Sequence, residues 1–161
     1  VAHRSDAGLV SAKISSDAEL NREYDRLATN ARALSQGDPA VSVEKFVAHD
    51  FEMILGLKHD ATFGPVVLCG LGGIFTEVLK DYSLRLAPLT EIDAAEMLSS
   101  LKAFGVLQKS SAGLKGLTGA LLQLSDLAVE LNGKIKAVDI NPIGFTSHSS
   151  EMTVLDAKIH L

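Results

Sequence analysis

The sequence has a single cysteine, so no internal disulfide can form. Cys69 lies in an apolar run, where we expect a small core residue in a reducing, cytoplasmic compartment. Positive charge is also scarce, because 15 Lys and Arg residues stand against 20 Asp and Glu and form no basic stripe. We therefore expect no binding of nucleic acid through its phosphates.

Long hydrophobic runs are absent from the sequence as well. No apolar run approaches the ~20 residues that span a bilayer, and the N-terminus lacks the basic and apolar regions of a signal peptide. We therefore expect no membrane partner. The first residue is Val1 rather than Met, so we expect the chain to be part of a longer protein. Its 161 residues are enough for one domain with a hydrophobic core, which we assign to residues 1–161.

Capping residues and apolar periodicity predict three helices. Ser16 and Glu19 have the spacing of a capping box, and a helix should follow to about Leu34. Thr90 is a good N-cap, and acidic residues follow it in what would be the first turn. Apolar residues at positions 117, 121, 124, 128 and 131 predict a long helix after a small, polar loop at 110–116.

Short apolar segments predict the strands, which do not alternate strictly with the helices. We expect strands at 9–14, 41–47, 51–57, 66–71, 74–78, 82–86, 135–143 and 153–159. The short connection between the second and third of these favours antiparallel pairing. The lack of strict alternation predicts an α+β fold rather than a doubly wound parallel sheet.

Three polar residues near the C-terminus have the chemistry of metal ligands. Asp139 and Asn141 lie two apart on a predicted strand, so their side chains should point to one face, and Pro142 should end regular pairing. Asp156 follows fifteen residues after Asn141, on the last predicted strand. Mg²⁺ prefers oxygen ligands and shares its coordination with phosphates. The same pattern is also typical of a turn or cap, and spacing alone does not separate the two interpretations.

Two further segments suit nucleotide binding but also have structural explanations. Glycine lets backbone N–H groups approach phosphate oxygens closely, and a glycine-rich segment at 70–73 is followed by Glu77 and Arg85. The segment matches neither the P-loop nor the dinucleotide-binding pattern. A tight turn between strands also explains the glycines, and a surface ion pair explains Glu77 and Arg85. Residues 43–47 could present backbone groups to a purine, or could form an ordinary edge strand.

Together these segments resemble one family. The chain contains, in order, His3-Arg4-Ser5-Asp6-x-Gly8, VEKFV, FEMILGLKHDATFGPVVLCGLGGIFTEVLKDYSLRLAPL, DINPIG and LDAKI. In these motifs, from about residue 3 to 161, it is similar to the ATP-grasp part of NDP-forming acyl-CoA synthetases, which include the ADP-forming acetate–CoA ligase β subunit. Succinyl-CoA synthetase is a more distant relative. The resemblance implies the C-terminal part of an ATP-grasp domain, with a mixed or antiparallel sheet flanked by helices.

The resemblance also implies an activity. Acid–thiol ligases of this family convert a carboxylic acid, CoA and ATP into acyl-CoA, ADP and phosphate through a phosphohistidine. The implied cofactors are ATP or ADP and Mg²⁺, and His3 matches a histidine assigned to phosphoryl relay. The other implied contacts are Glu44, Lys45 and Val47 with adenine, Gly72, Gly73, Glu77 and Arg85 on the phosphate side, and Asp139, Asn141 and Asp156 with Mg²⁺.

The same resemblance implies that parts of the enzyme lie elsewhere. The CoA-binding domains and the domain with the phosphorylated histidine are missing from these 161 residues. They are the expected partners, on the same chain or on a partner subunit, and this portion alone should be inactive.

Departures from the family pattern leave a second function open. Leu9 replaces the second glycine of the motif that begins at His3, and the loop before the last long helix offers only Lys109 and Lys115 where the family carries an Arg. A degenerate, regulatory synthetase-like module of a multidomain protein acetyltransferase would show such departures. A third option is a scaffold that only holds a partner subunit. The sequence does not identify the acid substrate or distinguish ADP from GDP.

Overall fold

The computed structural model of the protein describes residues 7–34, 39–72, 80–131, 133–149 and 151–161. Contacts divide the chain into two units, Val1–Phe46 and Val47–Leu161. No helix in the described ranges has the length and apolar composition of a membrane span.

The first unit contains helix α1, Asp17–Leu34. The predicted cap is confirmed, because the hydroxyl of Ser16 accepts a hydrogen bond from the N–H of Glu19 at 3.3 Å. The Glu19 carboxylate reaches back and accepts from the N–H of Ser15 at 2.9 Å. The first bond satisfies an N–H group that the helix leaves unpaired at its start, and the second holds the residue that precedes the cap.

The strands predicted at 9–14 and 41–47 are wrong, since neither segment has strand structure. The guanidinium of Arg26 donates to the carbonyls of Gly8 and Val10, both at 3.0 Å, so side-chain hydrogen bonds hold the backbone before α1. A strand needs a neighbouring strand to pair its backbone groups. The described residues of the first unit include no strand that could serve as that neighbour.

Within the described ranges, the second unit contains one sheet of six strands, all paired antiparallel. The strands are β1 Phe51–Asp60, β2 Gly64–Leu71, β3 Tyr82–Leu86, β4 Ala137–Phe145, β5 Met152–Val154 and β6 Ala157–His160. Their order is β3-β2-β1-β4-β5, and β6 also pairs with β4. The α+β fold class and the antiparallel sheet are therefore confirmed.

The central strands lie where the sequence patterns predicted them, at β1, β2 and β3. The strand predicted at 135–143 is present but shifted, because β4 begins at Ala137 and ends at Phe145. The segment predicted as one strand at 153–159 is split into β5 and β6. The strand predicted at 74–78 lies outside the described residues.

In the part of the second unit that the structure describes, three helices accompany the sheet: α2 Glu91–Ser99, α3 Phe104–Leu107 and α4 Ser111–Leu131. Thr90 caps α2 as predicted, in a reciprocal pair of hydrogen bonds with Asp93. The loop predicted at 110–116 is wrong, since α4 already begins at Ser111. The hydroxyl of Ser110 accepts from the N–H of Gly113 at 3.0 Å, as an N-cap does.

One face of the sheet packs against the helices of the second unit and forms the core. Alternate residues of β1 are buried there, with Met53, Leu55 and Leu57 no more than 4% exposed. The predicted apolar stripe of α4 packs on the same core, and Leu117 and Leu121 are completely buried. Burying this much apolar surface supplies the main stabilising free energy.

The other face, which we call the open face, is defined by a row of residues paired across the strands. In order from β3 to β6 these are Leu84, Leu68, Gly56, Asp139 and Lys158. Leu84 is 53% exposed, so an apolar side chain on this face lies in solvent.

Candidate functional site

The backbone brings the three predicted metal ligands to neighbouring positions. Asp139 and Asn141 lie on β4, and the N–H of Asn141 donates to the carbonyl of Asp156 at 3.0 Å. The N–H of Leu155 donates to the carbonyl of Pro142 at 2.9 Å. These two hydrogen bonds tie the segment between β5 and β6 to β4, although neither residue 155 nor 156 belongs to a strand.

A β-bulge shapes β4 at this point. The register of β4 against β1 shifts by one residue between Ile140 and Ile143, and Asn141 and Pro142 occupy the bulge. Asp139 and Asn141 are both exposed, whereas Ile143 is buried in the core. The bulge therefore leaves the carboxylate and the amide together on the open face, so the two residues share one face as their spacing predicts.

The side-chain oxygens of this set have no protein partner. Within the described ranges, the side chains of Asp139, Asn141 and Asp156 make no hydrogen bond and no ion pair within 4.0 Å. Groups of three or more His, Cys, Asp or Glu side chains that could hold a metal ion are also absent from the described part of the chain. A metal site at this position would therefore need the amide of Asn141 as its third donor. Two carboxylates and an amide are the hard oxygen ligands that suit Mg²⁺.

The glycines at 70 and 72 are required by strand packing. A Cβ on Gly70 would lie 2.9 Å from the carbonyl oxygen of Asp81, and one on Gly72 would lie 2.8 Å from the carbonyl carbon of Glu52. The N–H of Gly72 donates to the carbonyl of Glu52 at 2.8 Å. A phosphate contact through that N–H would require this hydrogen bond to open, and the phosphate role of Gly72 stays a prediction.

Arg85 lies on the helix-covered face of the sheet. Its partner across β2 is Val67, which is completely buried. The guanidinium donates to the carboxylates of Asp93, at 2.9 Å, and Glu96, both on α2. Hydrogen bonds from the Thr90 side chain and backbone lower the pKa of Asp93, and the charge of Arg85 adds to this effect. The phosphate role of Arg85 stays a prediction, and its two carboxylate partners would compete with a phosphate.

The predicted adenine contacts fall in both units. Glu44 and Lys45 belong to the first unit and are exposed, whereas Val47 begins the second. The Glu44 carboxylate accepts a hydrogen bond from the hydroxyl of Ser42 at 3.0 Å. The carbonyl of Val47 lies 3.0 Å from Nδ1 of His49, so a backbone group expected to face a purine already has a protein contact.

Three predicted site residues, His3, Gly73 and Glu77, lie outside the described residues. Lys158, by contrast, is described and belongs to the LDAKI motif, but no role was predicted for it. It pairs directly with Asp139 across β4 and β6. The sequence feature that could have identified it is its position two residues after Asp156, because an extended chain places both side chains on one face.

Comparison with known proteins covers the whole chain. The profile of the ATP-grasp domain family matches residues 1–161. The β subunit of ADP-forming acetate–CoA ligase I of Pyrococcus furiosus is 36% identical, over 100% of this chain and 71% of the subunit. The ADP-forming 4-hydroxybutyrate–CoA ligase of Nitrosopumilus maritimus is 32% identical over 100% of this chain, which spans 24% of that protein.

Solved structures agree with the sequence relatives. An acetyl-coenzyme A synthetase of Candidatus Korarchaeum cryptofilum, in complex with coenzyme A and Mg-AMPPCP, is 33% identical with a TM-score of 0.78. The match covers 99% of this chain and 70% of that one. A protein of Pyrococcus horikoshii is 32% identical with a TM-score of 0.84, over 99% and 69% of the two chains. This chain therefore belongs to the ATP-grasp family and corresponds to the ATP-grasp portion of ADP-forming acetate–CoA ligases.

Proposed function

We propose that this chain is the nucleotide-binding portion of an ADP-forming acyl-CoA synthetase. The complete enzyme would convert a carboxylic acid, CoA and ATP into acyl-CoA, ADP and phosphate through a phosphohistidine. Its likeness to acetate–CoA ligases along the whole chain supports this proposal. The structural observation that carries it is the set of unpartnered oxygens on Asp139, Asn141 and Asp156.

These three residues would hold the Mg²⁺ that accompanies the nucleotide. Asp139 and Asp156 would contribute charged oxygens and Asn141 a neutral one. When bound, the ion would offset negative charge on the phosphates during phosphoryl transfer. The backbone hydrogen bond between Asn141 and Asp156 fixes the distance between their Cα atoms, so the chain itself preorganises two of the three donors.

The family resemblance supports roles for the other predicted residues. His3 would take part in phosphoryl relay, since neutral imidazole is a nucleophile near neutral pH. The remaining proposed contacts are Glu44, Lys45 and Val47 with adenine and Gly72, Gly73, Glu77 and Arg85 with the phosphates. To serve there, Arg85 would exchange a carboxylate of α2 for a phosphate oxygen.

The proposed partners are the CoA-binding and phosphohistidine domains, with a carboxylic acid and CoA as the other substrates. The lengths of the relatives support this proposal, because the chain spans 71% of a β subunit but only 24% of the 4-hydroxybutyrate–CoA ligase. A cytoplasmic location stays a prediction.

Titration calorimetry of the complete protein with ATP, in Mg²⁺ and in EDTA, tests the nucleotide site. We expect binding that depends on Mg²⁺, and we expect Asp139→Asn to weaken it by about 10- to 100-fold, the range found even for residues that only support metal ligands. Asp126→Asn is the matched control, because Asp126 is an exposed carboxylate on α4. Its affinity for ATP should equal that of the wild type.

Two outcomes would reject the proposal. The first is a wild-type protein without affinity for ATP at millimolar concentrations in the presence of Mg²⁺. The second is an Asp139→Asn variant that binds ATP as well as its control. A parallel assay of acyl-CoA, ADP and phosphate formation against a panel of short carboxylic acids separates the synthetase from the regulatory module, because turnover excludes a degenerate copy.

A further inference from the structure

The row of paired residues across the open face is apolar at one end and charged at the other. Leu84 and Leu68 are apolar, Gly56 has no side chain, and Asp139 and Lys158 are charged. Directly paired residues of antiparallel strands project from the same face with Cβ atoms about 4.5–5.5 Å apart. Directly opposite Asp139 there is therefore a side chain on β6 but only backbone on β1.

Packing among the described residues does not explain the glycine at position 56. A Cβ at this position would lie 3.6 Å from the Cβ of Leu68 and 3.6 Å from the carbonyl oxygen of Val138, which are ordinary contact distances. Glycine inside a strand weakens it, and often marks close approach by a ligand or another backbone. Because Gly56 has no side chain, there is space beside Asp139 on the open face. Side chains on β6 can make polar contacts to a molecule in that space.

Lys158 is the basic residue on that side. It is exposed, and in the described ranges its ammonium group makes no ion pair within 4.0 Å, even with the carboxylate of Asp139 directly opposite. A triphosphate carries more negative charge than one divalent cation neutralises, and Asp139 and Asp156 add two further negative charges. A nucleotide bound beside these carboxylates requires an additional cation, and an unpaired lysine on the same face is suited to supply it.

We propose that Lys158 binds the phosphates of the nucleotide whose Mg²⁺ is held by Asp139, Asn141 and Asp156. This role rests on the proposed function, and no role was predicted for Lys158 from the sequence although it lies in the LDAKI motif. The competing explanation is that Lys158 only protects an edge strand, because β6 pairs with β4 alone and exposed lysines discourage association of sheet edges. An edge-protecting lysine would have no effect on nucleotide affinity.

The test is calorimetry of the complete protein with ATP and Mg²⁺ for Lys158→Met and Lys158→Arg. Loss of a charge-assisted hydrogen bond should weaken binding by about tenfold in Lys158→Met, whereas Lys158→Arg should stay within about threefold of the wild type. Lys58→Met is the matched control, because Lys58 is also exposed and lies two residues from Gly56 on the same face. Its affinity should stay within about twofold of the wild type.

Thermal melts of each variant confirm that the fold is retained, and Lys158→Gln is a second neutral variant if Lys158→Met does not fold. The role of Lys158 is overturned if its neutral variants bind ATP within twofold of the wild type, or if Lys58→Met loses as much affinity. A wild-type protein that binds no ATP would overturn the proposed function as well. The two failures are therefore distinguishable in one set of measurements.

Discussion

Gly72 offers a sharp test of why this chain carries glycine directly after β2. In Gly72→Ala, the new Cβ would lie 2.8 Å from the carbonyl carbon and 2.8 Å from the Cβ of Glu52, and 2.9 Å from its carbonyl oxygen. Two of these atoms belong to the backbone of β1, which cannot rotate away as a side chain can. The strands must separate, and the hydrogen bond from the N–H of Gly72 to Glu52, now 2.8 Å long, must lengthen.

The size of the effect follows from these distances. Overpacking costs about 1–3 kcal/mol, and weakening the backbone hydrogen bond adds about 1 kcal/mol. Gly119→Ala is the matched control, because Gly119 lies in α4 and a Cβ there would meet nothing within 4 Å. Replacing a helical glycine with alanine should instead stabilise the protein by up to about 1 kcal/mol. The two variants of the same chemical change should therefore shift stability in opposite directions.

Urea unfolding of both variants, followed by circular dichroism without nucleotide, measures this difference. We expect the free energy of unfolding to fall by roughly 2–4 kcal/mol in Gly72→Ala, and the melting temperature to fall by roughly 10 °C. If Gly72→Ala is as stable as the wild type, the close approach of β1 does not explain this glycine. The same conclusion holds if both variants shift the unfolding midpoint in the same direction.

Two further predictions concern acid stability and thiol reactivity. Because the folded-state pKa of Asp93 lies below its ordinary value of 3.8, its contribution to stability is complete above that value and is lost as the pH falls through the lower folded pKa. Thermal melts from neutral to acid pH should therefore show a melting temperature for Asp93→Asn that is below the wild type near neutral pH. This difference should shrink below about pH 4, and a difference that does not depend on pH would contradict the prediction. Burial raises the pKa of the Cys69 thiol to about 12, so an aromatic disulfide reagent at mildly alkaline pH should label it only after unfolding in urea. Rapid labelling of the native protein would show that the core opens.

The elements that the sequence predicted well are those with local causes. The caps of α1 and α2 depend on side chains three residues apart, and both are confirmed. The strand predictions at 9–14 and 41–47 are wrong because pairing depends on a neighbour that an apolar pattern does not supply. The predicted loop at 110–116 is wrong for a tertiary reason. A Cβ on Gly113 would lie 2.5 Å from the ring of Phe145. Position 113 is therefore a glycine because α4 packs closely against the sheet there, and not because the chain forms a loop.

The candidate site shows the same division between local and distant causes. The spacing of Asp139 and Asn141 predicts that they share a face, and both are exposed on the side away from the core. Their proximity to Asp156 depends on hydrogen bonds between segments fifteen residues apart, which the family resemblance implied but no local pattern could give. The pairing of Asp139 with Lys158 depends on strand register. Register is fixed by the folded sheet, and a shift of one residue would place Lys158 on the other face.

The two faces of the sheet also distinguish the basic residues that are candidates for phosphate binding. Arg85 is paired with buried Val67 on the helix-covered face, and both arms of its guanidinium bind carboxylates of α2. Moving it to a phosphate would leave Asp93 and Glu96 without their cation, and this loss opposes the free energy gained from the phosphate. Lys158 lies on the open face beside a proposed metal ligand and would give up no ion pair in the described structure. Because Arg85 must break ion pairs to reach a phosphate and Lys158 need not, the phosphate role proposed for Lys158 carries the smaller free-energy cost of the two.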